Sequence, residues 1–197
     1  MNDWKKAQEW ESEWHSNCVN SYGEEEKQLL YADRMGLVRF HDGRGPYNFD
    51  MKGASVLDIG GGPYSLLLKC VNVEGVVADP ILVNVPDWVK QRYVAANIGF
   101  IETPAEELDS DKVFNEGWMY NVLQHTEDPE LIIQNARKAC ELIRIFEWID
   151  TSVNVGHIHT LTEENLNKWL GGYGKVEALT GQANCYGRCY YGIFLGR

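Results

Sequence analysis

Two short stretches of the chain hold the residue types most capable of chemistry. The first reads Val56-Leu57-Asp58-Ile59-Gly60-Gly61-Gly62-Pro63-Tyr64-Ser65. Its apolar half, Ala54 to Ile59, predicts a buried strand that breaks at three glycines, and Pro63 suits the first residue of a helix because no N–H partner is needed there. Glycines let a ligand come close to the backbone, and the free N–H groups of a helix start attract an anionic group such as a carboxylate or phosphate. Asp58 adds a carboxylate acceptor, which suits a ligand carrying an ammonium group of its own. A dinucleotide fingerprint would need a further glycine where Ser65 stands, so a pyrophosphate is the weaker reading. A second acid, Asp79, ends the apolar run Gly75-Val76-Val77-Ala78 about twenty residues later, close to the spacing at which a second strand delivers a carboxylate to a ribose diol.

The second stretch is Gly117-Trp118-Met119-Tyr120-Asn121-Val122-Leu123-Gln124-His125-Thr126-Glu127-Asp128-Pro129. An apolar strand runs into a loop, and Asp128-Pro129 opens a helix as N-cap and first helical residue, with Leu131, Ile132, Ala136, Ala139 and Cys140 on its buried side. His125 has two readings. It is a base for a hydroxyl or amine nucleophile, since its ordinary pKa lies near neutrality, or it is a packing residue that fixes the loop.

The elements around these stretches alternate between strand and helix. Residues 1 to 52 look helical and polar, with Trp4, Trp10 and Trp14 near helical spacing. A helix packing its tryptophans onto the core is the plainer expectation, and a lid over the site is the functional one. The Gly- and Pro-rich stretch Phe40 to Tyr47 reads as an irregular connection. Pro86 to Arg92 predicts a short helix, Asn97 to Ile101 a third strand, and Leu142 to Ile149 a fifth. Pro104 and Glu106 would suit the start of a surface helix in any protein. Thr162 caps a helix that Gly171 stops, and Lys175 to Thr180 and Arg188 to Leu195 predict two closing strands. His157 and His159 either alternate faces of a short strand or bind metal, but no third ligand is near. The acids and polar residues Asp58, Asp79, Thr103, Asn121 and Asp150 all fall at predicted strand ends, the place where open α/β sheets bind ligands.

Composition narrows the function. The chain has 197 residues, 44% of them hydrophobic, enough for the core of one domain. No stretch reaches the roughly 18 apolar residues of a membrane span, and the first residues lack the apolar core of a signal peptide, so a cytoplasmic protein with no membrane partner is expected. With 29 acids against 18 bases the formal net charge is −11, which argues against a nucleic-acid partner that would need its phosphates neutralised. Five scattered cysteines fit reduced thiols better than a disulfide framework, and Cys185-x-x-x-Cys189 lacks the further ligands of a zinc site.

The two stretches resemble motifs of the class I S-adenosylmethionine-dependent methyltransferases. Asp58 to Gly62 is similar to their motif I, Val77-Ala78-Asp79-Pro80 to motif II, and Asn-x-Leu-x-His-x-x-Asp-Pro at residues 121 to 129 to the segment after strand four. The resemblance implies an α/β, Rossmann-like fold: a seven-stranded, mostly parallel sheet with an antiparallel last strand, helices on both faces, and an N-terminal helical cap over residues 1 to 52 ahead of a cofactor-binding domain at residues 53 to 197. It implies S-adenosylmethionine as cofactor, its methionine end held by Asp58, Gly60, Gly61 and Gly62 with Asn121 beside it, and its ribose by Asp79, next to Pro80. Glu102-Thr103-Pro104-Ala105-Glu106-Glu107-Leu108 is similar to the family's adenine loop, with Pro104 in place of the usual acid, so that Thr103, Ala105 and Glu106 are left to meet the base. By the same resemblance His125 faces the cleft, and Gly156-His157-Ile158-His159 borders the acceptor pocket. His125 and His157 are therefore the candidate catalytic residues, and Tyr22, Glu25, Tyr31 and His159 the candidate substrate or lid residues. The Asn/Asp-Pro-Pro-Tyr/Phe motif of amino-methylating enzymes is missing. A small-molecule acceptor is the leading expectation, ahead of a protein or RNA acceptor and of a cofactor-binding scaffold without catalysis; an NAD-dependent oxidoreductase is the last competitor.

Overall fold

The computed structural model describes residues 3–40, 48–108 and 112–196, and the stretch 41–47 of the expected irregular connection lies outside them. Helices α1 (Asp3–His15) and α2 (Val19–Arg34) come first, followed by strands β1 (Arg39–Phe40), β2 (Asn48–Asp50) and β3 (Ser55–Ile59). Strands β4 (Cys70–Val71), β5 (Glu74–Ala78), helix α3 (Asp87–Ala95), β6 (Gly99–Ile101), β7 (Phe114–Tyr120), α4 (Pro129–Ala139), β8 (Cys140–Ile149), α5 (Glu163–Leu170), β9 (Lys175–Thr180) and β10 (Tyr186–Leu195) complete the order. The main sheet has seven strands in the order β6-β5-β3-β7-β8-β10-β9. Every pairing from β6 to β8 is parallel, and β10 runs antiparallel to both its neighbours, as expected from the sequence. A small sheet of β1, β2 and β4, not anticipated from the sequence, pairs beside it.

Strand periodicity sorts the core into two layers. Val56, Val77, Trp118, Tyr120 and Phe146 pack with Leu30, Tyr31 and Met35 of the α2 region and Val89 and Tyr93 of α3 on one face. Leu57, Ile59, Met119, Ile143 and Ile145 pack with Ile132, Ile133 and Ala136 of α4 and Leu166 and Leu170 of α5 on the other. Successive side chains of a strand point to opposite faces, so Asp58 must share the α2/α3 face with Val56. The caps expected for α4 and α5 form: Asp128 Oδ1 accepts from Leu131 N at 3.0 Å, Thr162 Oγ1 from Asn165 N at 3.2 Å, and Gly171 ends α5 at φ +68°. Among the described residues no helix is long and apolar enough to cross a membrane.

One expected element differs. The helix predicted after the glycines is replaced by two short 3-10 turns, Gly62–Tyr64 and Leu66–Lys69, separated by an extended Ser65 at φ −54°, ψ 144°. The reason is local competition for the backbone. Ser65 N donates to the Tyr93 hydroxyl at 3.1 Å, Leu66 N to the Tyr120 hydroxyl at 3.1 Å, and Leu67 N to Ser65 Oγ at 3.0 Å. Those N–H groups are consumed inside the protein, so the anion-binding helix start expected at Pro63 is not built.

Candidate active site

The carboxyl ends of β3, β5 and β7 open into a cavity of about 540 Å³ lined by Gly60, Gly61 and Gly62, Asp79 and Pro80, Pro104, Ala105 and Glu106, and Asn121. The parallel register brings Ile59 beside both Ala78 and Met119, which sets the glycine turn, Asp79 and Asn121 at one edge of the sheet. Asp79 caps the turn that follows it: Oδ1 accepts from Ile81 N at 3.0 Å, and Oδ2 reaches across to Gly62 N at 2.8 Å. Burial pushes its carboxyl up to about 6, against those backbone hydrogen bonds. Each oxygen keeps acceptor capacity toward the cavity.

The three glycines serve different needs. Gly60 has φ +73°, and a Cβ there would fall 2.0 Å from Val122 Cγ2; a Cβ on Gly61 would fall 2.5 Å from Asp58 Oδ2. Both are small because protein neighbours press on them. Gly62, at φ +56°, would meet nothing closer than 3.8 Å, so it leaves a cradle beside Asp79.

Asp58 does not line the cavity, which revises its expected contact with the ligand. It is fully buried beneath the turn, where Oδ2 accepts from the Tyr120 hydroxyl at 2.6 Å and from the Ser65 hydroxyl. Burial raises its carboxyl to about 7 in spite of those bonds. Thr103 is exposed and outside the cavity wall. Glu106 lines the cavity, but its Oε1 accepts from Glu127 N at 2.8 Å and Asp128 N at 3.2 Å, so it braces the loop before α4. Asp150 also sits at a strand end, yet it pairs with Arg188 at the surface.

Past Tyr120 the chain turns through Asn121 at φ +55°, and Glu147 holds the loop by accepting from Val122 N at 3.1 Å and Leu123 N at 3.2 Å. This presents His125 to the cavity. Its Nδ1 faces two acceptors, Gly156 O at 2.8 Å and Glu11 Oε1 at 2.9 Å, and therefore carries the proton. Nε2 lies 3.3 Å from the Gln124 amide nitrogen, which donates to it when the neutral ring carries its proton on Nδ1. Burial disfavours the charged ring, but the Glu11 carboxylate outweighs it and His125 is raised above 6.5. Glu11, which burial alone would raise, is held at about 2 by hydrogen bonds to His125 and His15. His157 packs edge-on against His125, with ring centroids 4.7 Å apart, and burial and the His125 charge lower its pKa.

Sequence reasoning missed Glu11. It arrives on α1, which crosses the cavity mouth between the turn at Pro80–Asn84 and the turn at Leu123–His125. Ser12 Oγ accepts from Asn84 Nδ2 at 3.2 Å, and Gln8 Nε2 donates to His125 O at 3.4 Å. The tryptophans of α1 do not pack into the core, contrary to the plainer expectation. Trp10 and Trp14 are 38% and 39% exposed, stack with centroids 5.2 Å apart, and line the cavity with Trp4. The available signal was spacing: Glu11 and His15 lie four apart, as do Trp10 and Trp14, so each pair shares a helix face. Tyr31 lines the cavity as expected, whereas His159 turns its Nε2 to Glu127 O at 3.2 Å and is not part of the wall. Of Tyr22 only the backbone is described. Among the described residues no group of three or more His, Cys, Asp or Glu is placed to hold a metal ion, and Cys185 and Cys189 are buried free thiols.

No protein-family model matches the chain, and no curated protein matches it. Solved structures do. A 1,6-didemethyltoxoflavin-N1-methyltransferase from Burkholderia thailandensis, with 1,6-didemethyltoxoflavin and S-adenosylhomocysteine bound, superposes with a TM-score of 0.65 at 16% identity over 96% of this chain and 86% of its own. Magnesium protoporphyrin IX methyltransferase from Synechocystis PCC 6803, with S-adenosylmethionine bound, gives 0.60 at 13% identity over 98% of both chains. A cyclase of the 4+2 type gives 0.54 at 16% identity over 75% of this chain and 56% of its own. The first three matched structures are spanned over only 65%, 47% and 51% of their length. The chain therefore has the class I methyltransferase fold.

Proposed function

We propose that the chain is an S-adenosylmethionine-dependent methyltransferase acting on a small molecule. The observation that carries this reading is convergence: the glycine turn, Asp79 and the Glu11–His125 pair meet in one cavity at the carboxyl ends of the parallel strands. The cradle beside Gly62 and the Asp79 carboxylate fit a nucleoside with an amino-acid tail: Asp79 takes the ribose hydroxyls, Gly60 to Gly62 and Asn121 border the methionine end, and Pro80, Pro104 and Ala105 flank the adenine. Asp58 acts through the turn, and Glu106 through the loop it braces. The bound cofactor supplies an activated methyl group on a sulfonium. The chain's own task is to orient the acceptor, exclude water beneath α1, and take a proton at His125 Nε2, with Glu11 as the positioning residue that fixes the ring. Helices α1 and α2 form the cap, although Tyr31 and Met35 already belong to the core. The five free cysteines support a cytoplasmic setting.

A second reading, a cofactor-binding module without methyl transfer, is favoured by two observations: Asp58 is closed off, and the helix start after the glycines is absent. Calorimetric titration with S-adenosylmethionine, S-adenosylhomocysteine and NAD in parallel tests the first reading. Micromolar binding of the first two and none of NAD is expected. Binding of NAD alone, or of nothing, would overturn it, and binding without turnover on any acceptor would leave the second reading.

A further inference from the structure

We propose that the acceptor is a flat aromatic or heteroaromatic molecule that presents a weakly acidic O–H or N–H to His125 and a second polar group to Gln28; this rests on the methyltransferase reading above. Besides the glycine turn, the cavity is lined by Trp10, Trp14, Tyr31, Trp148 and Tyr186. Trp10 and Trp14 are large apolar rings left more than a third exposed and stacked on one another, while Tyr31 stacks on Phe146 at 4.2 Å and meets Trp148 edge-on at 6.4 Å. Gly156 keeps this wall close, since a Cβ there would stand 2.8 Å from the Trp10 ring. Aromatic walls favour a planar guest, which they contact by offset or edge-on stacking.

Two polar atoms in the same wall define what else the guest carries. Gln28, one helical turn before Tyr31 on α2, is 7% exposed, and its Oε1 is buried with no hydrogen-bond partner among the described residues. Thr151 Oγ1 is in the same position on the segment after β8. Buried polar atoms are paired in folded proteins, so Gln28 Oε1 calls for a donor on a ligand and the Thr151 hydroxyl for a donor or an acceptor. Charge narrows the class further. Lys27, the lysine of this wall, is already paired with Glu24 at 2.8 Å, and Glu11 stands against His125, so among the described lining residues no lysine or arginine is left to receive a carboxylate or phosphate, which disfavours such an acceptor.

The base sets the acidity. A histidine takes a proton more readily from a phenol, an enol or a ring imide, whose pKa lies within about four units of its own, than from an aliphatic alcohol, whose pKa lies far higher. His125 Nε2 receives the proton of the acceptor O–H or N–H. The electron pair freed on that oxygen or nitrogen forms the new bond to the methyl carbon, and the pair of the broken carbon–sulfur bond stays on sulfur as a neutral thioether.

The test uses the full chain saturated with S-adenosylhomocysteine, whose own binding is measured first by calorimetry. Naphthol, fully hydrogenated naphthol and naphthoic acid are then titrated by quenching of tryptophan fluorescence. Naphthol is expected to bind at least tenfold more tightly than the other two. A naphthalenediol, whose second hydroxyl can donate to Gln28 Oε1, should bind about tenfold more tightly than naphthol, Gln28→Met should remove that advantage with S-adenosylhomocysteine affinity and melting temperature unchanged, and Trp14→Leu, at an exposed position, should weaken both. Equal or tighter binding of hydrogenated naphthol or naphthoic acid, or no naphthol binding by a chain that does bind S-adenosylhomocysteine, overturns the proposal. Failure to bind S-adenosylhomocysteine would instead overturn the reading on which it rests.

Discussion

The two halves of the cleft are held by different kinds of structure. The cofactor half is fixed by parallel strands in register and by backbone groups that Asp79, Tyr93 and Tyr120 tie down. The acceptor half depends on α1, of which Ala7 is the buried apolar residue. The polar contacts that join α1 to the body include Asn84 to Ser12, Gln8 to His125 O and Glu11 to His125, and Asn20 Nδ2 of α2 donates to Trp14 O. Helix α2 is intermediate, with Tyr31 stacked on Phe146 and Arg34 making a bidentate pair with Glu177 at 2.9 Å. Cofactor affinity should be separable from turnover at side chains whose hydrogen bonds lie in one half, as that of Glu11 to His125 does.

The largest effect on stability is expected at Gly60→Ala. The left-handed φ and the approach to Val122 both penalise a methyl group there, and a loss of about 3 kcal/mol of stability is expected. A melting temperature equal to that of the wild type would refute the close approach. Next, Asp79→Ala should weaken S-adenosylhomocysteine about 100-fold, from lost charged hydrogen bonds and a loosened turn, whereas Glu11→Gln should leave that affinity within about threefold. Equal losses in the two variants would erase the separation between the halves.

His125→Ala should lower turnover by about 10²- to 10⁴-fold at unchanged cofactor affinity. Glu11→Gln should act more gently and leave a signature in pH. The carboxylate raises His125 above 6.5, so wild-type turnover should rise through that elevated pKa, and the variant's midpoint should move to lower pH. An unmoved midpoint would deny Glu11 its positioning role.

The smallest effect is a pH dependence of stability that arises in the body of the fold. Burial raises Asp58 and Glu147 to about 7 and Asp79 to about 6, all above their unfolded values. The folded chain thus holds more protons than the unfolded one between about pH 4 and 7, and stability falls as pH rises through that window. Glu11, held at about 2, acts oppositely: its contribution is present above about pH 4.5 and is lost toward pH 2. The melting temperature should be higher at about pH 5.5 than at about pH 8.5, and Asp58→Asn should flatten that difference. An equally steep dependence in the variant would remove Asp58 from the explanation.

Much of this was legible in the chain. Strand alternation and the helix caps at Asp128 and Thr162 are local signals, and Asp79 and Asn121 had to fall at strand ends once the strands were read. Local pattern also placed Asp58 in a strand. It could not show that Tyr120 would close over the carboxylate with Ser65, or that the tyrosine hydroxyls would take the N–H groups of the expected helix, because Tyr120 and Tyr93 come from β7 and α3. The same limit applies at His125. Its place in the loop after β7 follows from the residues beside it, but the carboxylate that orients it comes from the opposite end of the chain. Spacing fixes which side chains share a face of α1; where that face lands is decided only when the helix docks across the mouth of the sheet, through contacts between segments with no sequence relation to one another.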